Sequence, residues 1–229
     1  MGLEVPLDRI YTQRESSMDT DVKTLSINFL ICCYFGQSEN LGKAAIDRAY
    51  VDMAAHTLKE PDESDKWRKR FDASCVIKQS IKNYKKGSFD EWHKEAIQKI
   101  KNTYQGIMTE GQAQKWLNMT IKYLFVFSTL LGVDDRRLSE FKEFLSNTDC
   151  SVYKIPIDGY VLKGAKIPKA ENSWSKFDES KYKIIDDILK EQNLDFMWEL
   201  RNWELLSRGQ KADKGTYARF LQDKHIEDY

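Results

Sequence analysis

A chain of 229 residues with 41% hydrophobic and 12% aromatic side chains has enough apolar surface to bury one large core, and 31% charged residues do not make it a disordered chain. Its 11 Gly and 4 Pro are too few for the regular turns of an all-β sandwich or barrel, and collagenous, low-complexity and disulfide-framework classes are excluded as well. Lys and Arg number 36 and Asp and Glu 36, so the basic excess usual in proteins that bind by neutralising phosphates is absent, although a local basic face stays open.

The pattern predicts an all-α, soluble, single-domain protein of seven or eight helices around one central hydrophobic helix. Residues 1–20 are polar and aperiodic and read as an arm. The helical domain occupies 21–208, and 209–229 form a polar tail. From Val22 to Phe35 the apolar positions are dense enough for a buried helix, ended near Gly36. Asn40 caps a helix to about Leu58, and Glu60-Pro61-Asp62-Glu63 breaks it. Ser64 opens the next helix, with Trp67, Phe71, Cys75 or Ile77, and Ile81 on one face. Ser88 and Glu91 form a capping box for a helix over 89–104. After a turn at Gly106 comes the central helix, Thr109 to Leu131, apolar over most of its circumference from Trp116 onward and closed by Gly132. A short helix follows over 137–145. Tyr153 to Ile157 approach in extended form a helix that starts at Asp158, and 163–175 read as loop. Helices over 178–192 and 194–207 close the domain.

The cysteines, Cys32, Cys33, Cys75 and Cys150, make no CxxC pair, and Cys32 and Cys33 lie in the apolar run expected to be buried. His56, His93 and His225 are isolated in sequence, His56 and His93 reading as surface or hydrogen-bonded structural residues. A reduced, cytoplasmic protein with no metal and no cofactor is the expectation. No signal peptide is visible, Pro6 stands where a myristoylation signal needs Ser or Thr, and the apolar stretch 123–133 is too short to span a bilayer. No membrane association is expected.

Dinucleotide, P-loop, zinc-protease and serine-hydrolase motifs are all missing from the sequence. What stands out is Gly111-Gln112-Ala113-Gln114-Lys115 at the head of the hydrophobic helix, followed 43 residues after Lys115 by Asp158 in Ile155-Pro156-Ile157-Asp158. This pairing resembles the helix-hairpin-helix DNA glycosylase superfamily, the group that includes the 8-oxoguanine glycosylases, over about residues 89–164. The resemblance implies a helix-hairpin-helix glycosylase-like fold and a DNA glycosylase/AP-lyase-like protein acting on or binding a nucleic acid base or nucleotide. It implies Lys115 and Asp158 as catalytic residues, with Gly111 and Ala113 at the two hairpin-glycine positions and Gln112 between them in the binding loop. Ala113 stands where the family has its second glycine and Glu110 where it has the hairpin proline. In that chemistry a nucleotide is extruded from the stack, a desolvated lysine attacks C1′, and a carboxylate at a helix start offsets the developing positive charge.

Ordinary structural roles fit the same residues. Thr109 and Gln112 make a capping box, which would leave Gly111 and Lys115 as first-turn residues, and an aspartate at a helix start is an N-cap. Lys122, seven residues after Lys115, falls on nearly the same face, so an otherwise apolar helix carries two cations towards one side, as in a lined cleft or as a snorkelling lysine. Phe196, Trp198 and Trp203 are core residues or base-stacking ones. The Asp195–Glu199 and Arg201–Glu204 charges read as a solvated face. Arg136-Arg137 and Lys66-Trp67-Arg68-Lys69-Arg70 are the best basic patches. The competing function, from a different class, is a non-catalytic helical interaction protein, such as a bacterial or phage accessory protein, that binds a partner protein through its aromatic surface.

Overall fold

Most of the helix starts are set by one short polar side chain each. Helix α1 spans 22–35. Helix α2, Leu41–Ala54, begins where Asn40 Oδ1 accepts from the Lys43 N–H at 2.9 Å. After α3, Glu63–Lys82, the Ser88 hydroxyl accepts from the Glu91 N–H at 3.3 Å and starts α4, Phe89–Thr103. The α4–α5 turn uses two left-handed residues, Gln105 at φ 50° and Gly106 at φ 88°. Thr109 then opens α5, Glu110–Leu131, with a complete capping box: its hydroxyl accepts from the Gln112 N–H at 3.2 Å, and Gln112 Oε1 accepts from the Thr109 N–H at 3.0 Å. Gly132, at φ 87°, ends it. A 3₁₀ turn, Arg136–Phe141, runs into α6, Lys142–Asn147, and a second, Cys150–Val152, leads to an extended stretch over 153–158. Then come α7, Gly159–Gly164, a 3₁₀ turn at Trp174–Lys176, α8, Glu179–Glu191, and α9, Phe196–Arg208.

This computed structural model describes residues 22–54, 57–58, 63–168 and 173–208. The expected N-terminal arm, the C-terminal tail, His56, His225 and the breaker at Glu60-Pro61-Asp62 lie outside the described residues. Among those described there are nine α-helices and no strand, against the seven or eight helices expected, and α6 and α7 are only six residues long each.

The inner length of α5 is buried without a break from Glu110 to Leu124. Helix α2 packs along it through Leu41, Ala45, Ala49 and Met53, whose small members let the two backbones approach. Trp116 is fully buried there, flanked by Tyr50 and Tyr104, and its indole N–H donates to the Ile46 carbonyl at 3.0 Å. On the next face of α5 two amide side chains replace the missing strand partner of the 153–158 stretch. Gln114 donates to the Ile157 carbonyl at 2.8 Å and accepts from the Ile157 N–H at 3.2 Å, and Asn118 donates to the Ile155 carbonyl at 3.1 Å. Three buried peptide groups that would each cost about 1–3 kcal/mol unpartnered are thereby satisfied. Pro156, between them, has no N–H to place.

Two expected faces are turned the other way. Helix α1 is not buried: Phe29 is 66% and Leu30 64% exposed, Cys32 and Cys33 are exposed, and Ile31 alone of its residues is buried. Its apolar residues surround the helix, so only part of them can meet the core. Phe35 packs on Tyr123 and Phe127, and Arg137 donates to Asn28 at 2.9 Å and to the Ser38 carbonyl at 3.0 Å. In α3 the core stripe is Ala73, Ile77 and Ile81, and Trp67, Phe71 and Cys75 point outward.

Candidate functional site

Lys115 and Asp158 meet. Lys115 Nζ donates to Asp158 Oδ2 at 3.0 Å, with both residues buried. Two pieces of local chemistry place them. The capping box fixes the start of α5 and so the direction of Lys115, while Gln114, one residue earlier, fastens Ile157, one residue before Asp158. Asp158 is also the N-cap of α7: its Oδ1 accepts from the Tyr160 N–H at 2.9 Å and the Val161 N–H at 3.0 Å. One carboxylate oxygen holds a helix and the other holds the ammonium, so the capping role and the pairing role coexist.

Lys122 occupies the same side of α5 and makes a second buried pair, to Glu199 Oε1 at 2.7 Å. Glu199 is 0% exposed, and its Oε2 has no hydrogen-bond partner among the described residues. Burial pushes the Glu199 carboxyl above its ordinary value, against the pull of Lys122, with smaller contributions from Asp158 and Lys115. The two pairs therefore feel each other. The lysines also have aromatic faces over them: Lys115 Nζ is 4.6 Å from the ring centroid of Trp174, and Lys122 Nζ 4.3 Å from that of Trp203. Tyr160 stands edge-on to Trp203 at 5.8 Å, and all three rings are half-buried.

Glu199 and Trp174 are the residues that sequence reasoning missed. Far from belonging to a solvated face, Glu199 sits in the inward stripe of α9 that begins at Phe196, and that three-residue spacing was the available signal. Trp174 falls in the stretch expected to be loop, within the 3₁₀ turn. The segment 173–177 straps across the start of α5: the Gly111 N–H donates to the Phe177 carbonyl at 3.1 Å, and the Thr109 hydroxyl to the Ser175 carbonyl at 2.8 Å. A Cβ at position 111 would stand 1.7 Å from the Trp174 carbonyl oxygen, so only glycine admits the strap.

The remaining sequence candidates spread over several roles. The expected binding loop is absent here, because Gly111, Gln112 and Ala113 are the helical first turn of α5 rather than a hairpin before it. Gln112 closes the capping box and donates to the Thr57 carbonyl at 2.8 Å, Ala113 is fully buried in the core, and Glu110 accepts from Lys101 at 2.7 Å. Phe196 is core and Trp198 half-buried. Arg137 is bound to Asp135 at 2.7 Å. His93 is a satisfied structural residue: buried, its Nε2 is 2.7 Å from Asn118 Oδ1, and because the Asn118 amide nitrogen already donates to Gln114 and Ile155, that oxygen accepts the imidazole proton.

Chemically the site offers two ammonium groups, two carboxylates and three aromatic faces around one side of α5. Among the described residues no cluster of His, Cys, Asp and Glu is arranged to hold a metal ion, and no helix is long and apolar enough to cross a membrane. Compared with family models, curated proteins and solved structures, the chain matches none.

Proposed function

We propose that the chain is a divergent protein of the helix-hairpin-helix glycosylase type, acting on a nucleic acid base or nucleotide with Lys115 as the amine and Asp158 as the carboxylate. The observation that supports this reading is the 3.0 Å pairing of two side chains 43 residues apart in sequence, with Asp158 at a helix start and Lys115 in the second turn of α5. Buried ion pairs rarely improve stability over apolar side chains of the same size, and here two of them stand side by side. That favours a chemical reason for keeping them.

In the proposed reaction Asp158 takes a proton from the Lys115 ammonium. The free amine forms a bond to C1′ as the C1′–N bond breaks, its electron pair leaving with the base, and Asp158 returns its proton to that base. Half-buried Trp203 and Tyr160 are the aromatic rings nearest the pairs on this side of α5, and they are the candidates to stack on the base. A labelled duplex with a single abasic site tests the amine: Lys115 condenses with its C1′ aldehyde with loss of water, and the imine then gives up a C2′ proton as the C3′–O bond breaks and the phosphate leaves, which cuts the strand. Wild-type protein nicks it and Lys115→Gln does not, with Asp158→Asn slowed. A wild-type protein that leaves the strand intact overturns the reading.

The exposed apolar residues of α1, Val22, Leu25, Phe29 and Leu30, favour a second reading as a helical interaction protein. In that case nicking is absent and substituting Phe29 and Leu30 by Ser abolishes a stable complex with a partner chain.

A further inference from the structure

The outward face of α3 carries an arrangement the Lys115 site does not use. Trp67 is 72% exposed and Phe71, one helical turn on, 55% exposed, far more than the burial usual for side chains of this size. Their rings are stacked, centroids 5.9 Å apart and planes within 6° of parallel, so together they present flat aromatic faces to solvent. They line one side of a cleft of about 600 Å³ between α3 and α2, whose other lining includes Lys43, Arg70 and Lys78 with a single carboxylate, Asp47. Each cation is paired, and Arg70 also lies over the Tyr50 ring at 4.4 Å. Lys43 and Arg70 both lean on Asp47, and Lys78 on Glu140 at 2.7 Å, and such partly exposed pairs hold weakly.

We propose that this cleft binds single-stranded nucleic acid, with bases stacked on Trp67 and Phe71 and the backbone phosphates taken by Lys43, Arg70 and Lys78. Aromatic faces beside a short row of cations are complementary to a chain of bases on a chain of phosphates, and stacking needs no particular base sequence. Three cations against two carboxylates, Asp47 and Glu140, leave a net positive lining that favours a polyanion, and the parallel rings favour a flat partner. The platform is separate from Lys115. Ile46 lines this cleft while its carbonyl receives Trp116 of α5, and the next residue back, Lys115, turns to α7.

The test is fluorescence anisotropy of 5′-labelled oligothymidylate fifteen nucleotides long, at low salt, with the full chain. Wild type binds, and log affinity falls with log salt at a slope of about −2, as expected when roughly three contacts to a single strand are made. Trp67→Ala and Phe71→Ala each weaken binding by about 5- to 150-fold, the range for losing one stacked base, and Trp67→Phe retains most of it. Arg70→Ala weakens binding and flattens the salt slope. Both rings are exposed, so circular dichroism and the thermal melt stay as in wild type and the loss is not unfolding. Ring variants that bind as wild type overturn the proposal, as does wild type failing to bind at low salt. Heparin, a polyanion without bases, bound equally well and weakened equally by the ring substitutions, overturns it too. Ring substitutions that leave oligonucleotide binding intact but alter the mass seen by light scattering put a protein on this face instead.

Discussion

Replacing Lys122 by methionine strands a carboxylate in the interior. Glu199 is fully buried, bound through Oε1 to Lys122 alone among the described residues, with Oε2 unpartnered. Breaking one side of a buried pair costs about 3–5 kcal/mol. In a chain of this length each kcal/mol moves the melting midpoint by about 2–4 °C, so Lys122→Met melts roughly 6–20 °C below wild type. Glu199→Leu alone loses less, because the lysine stem can carry its ammonium out past Trp203. The double variant Lys122→Met, Glu199→Leu fills the same space with apolar atoms and returns to within about 1 kcal/mol of wild type or exceeds it. The pH dependence has a definite sign. A carboxyl whose folded pKa is raised, as burial raises that of Glu199 above its ordinary 4.5, favours the folded state below 4.5 and loses that contribution as pH rises through the folded value. The deficit of Lys122→Met therefore narrows as the pH is lowered from 7 towards 4.5. Urea denaturation followed by circular dichroism measures all four proteins. If the two single losses simply add in the double variant, the pair is not coupled and this reasoning is refuted.

Two further perturbations probe the scaffold around the site. Burial pushes the His93 imidazole down to about 4 from 6.5, with the Asn118 hydrogen bond opposing. The neutral ring therefore supports folding above pH 6.5, and that support is lost as pH falls through 6.5 towards about 4. At about 1.36 kcal/mol for each pH unit the loss amounts to about 3 kcal/mol. His93→Gln removes that slope from urea midpoints compared at pH 7 and pH 4.5, and an undiminished slope contradicts the assignment. Gly111→Ala drives a methyl group into the Trp174 carbonyl and lifts the 173–177 strap, sacrificing two hydrogen bonds worth about 2 kcal/mol together. Trp174 then leaves Lys115, read as increased quenching of tryptophan emission by iodide. Unchanged melting and emission would refute the strap.

Helix starts were legible because each depends on one or two neighbouring residues. Asn40, Ser88, Thr109 and Asp158 all act locally, and each opens the helix expected of it. The side of a helix that meets the core is harder to read. Val22 to Phe35 carries apolar residues all round, and α3 has two apolar stripes, Trp67–Phe71 and Ala73–Ile77–Ile81, with nothing in local spacing to say which one other helices cover. Lys115 and Asp158 were found through paired motifs. Lys122 and Glu199, 77 residues apart, share no motif; the buried setting of Lys122 calls for a carboxylate, and the spacing of Glu199 from Phe196 puts it on the inward stripe, but nothing in sequence joins the two. Trp174 was hidden for another reason. Its position is set by Gly111 and Thr109 from another part of the chain, not by any helical or extended pattern of its own.

Borohydride trapping with peptide mapping tests the central claim most directly. Wild-type protein is incubated with a duplex carrying an abasic site, reduced, digested and analysed by mass spectrometry. The account predicts one covalent adduct, on the peptide containing Lys115, absent in Lys115→Gln. No adduct under these conditions, or an adduct that persists in Lys115→Gln, contradicts it.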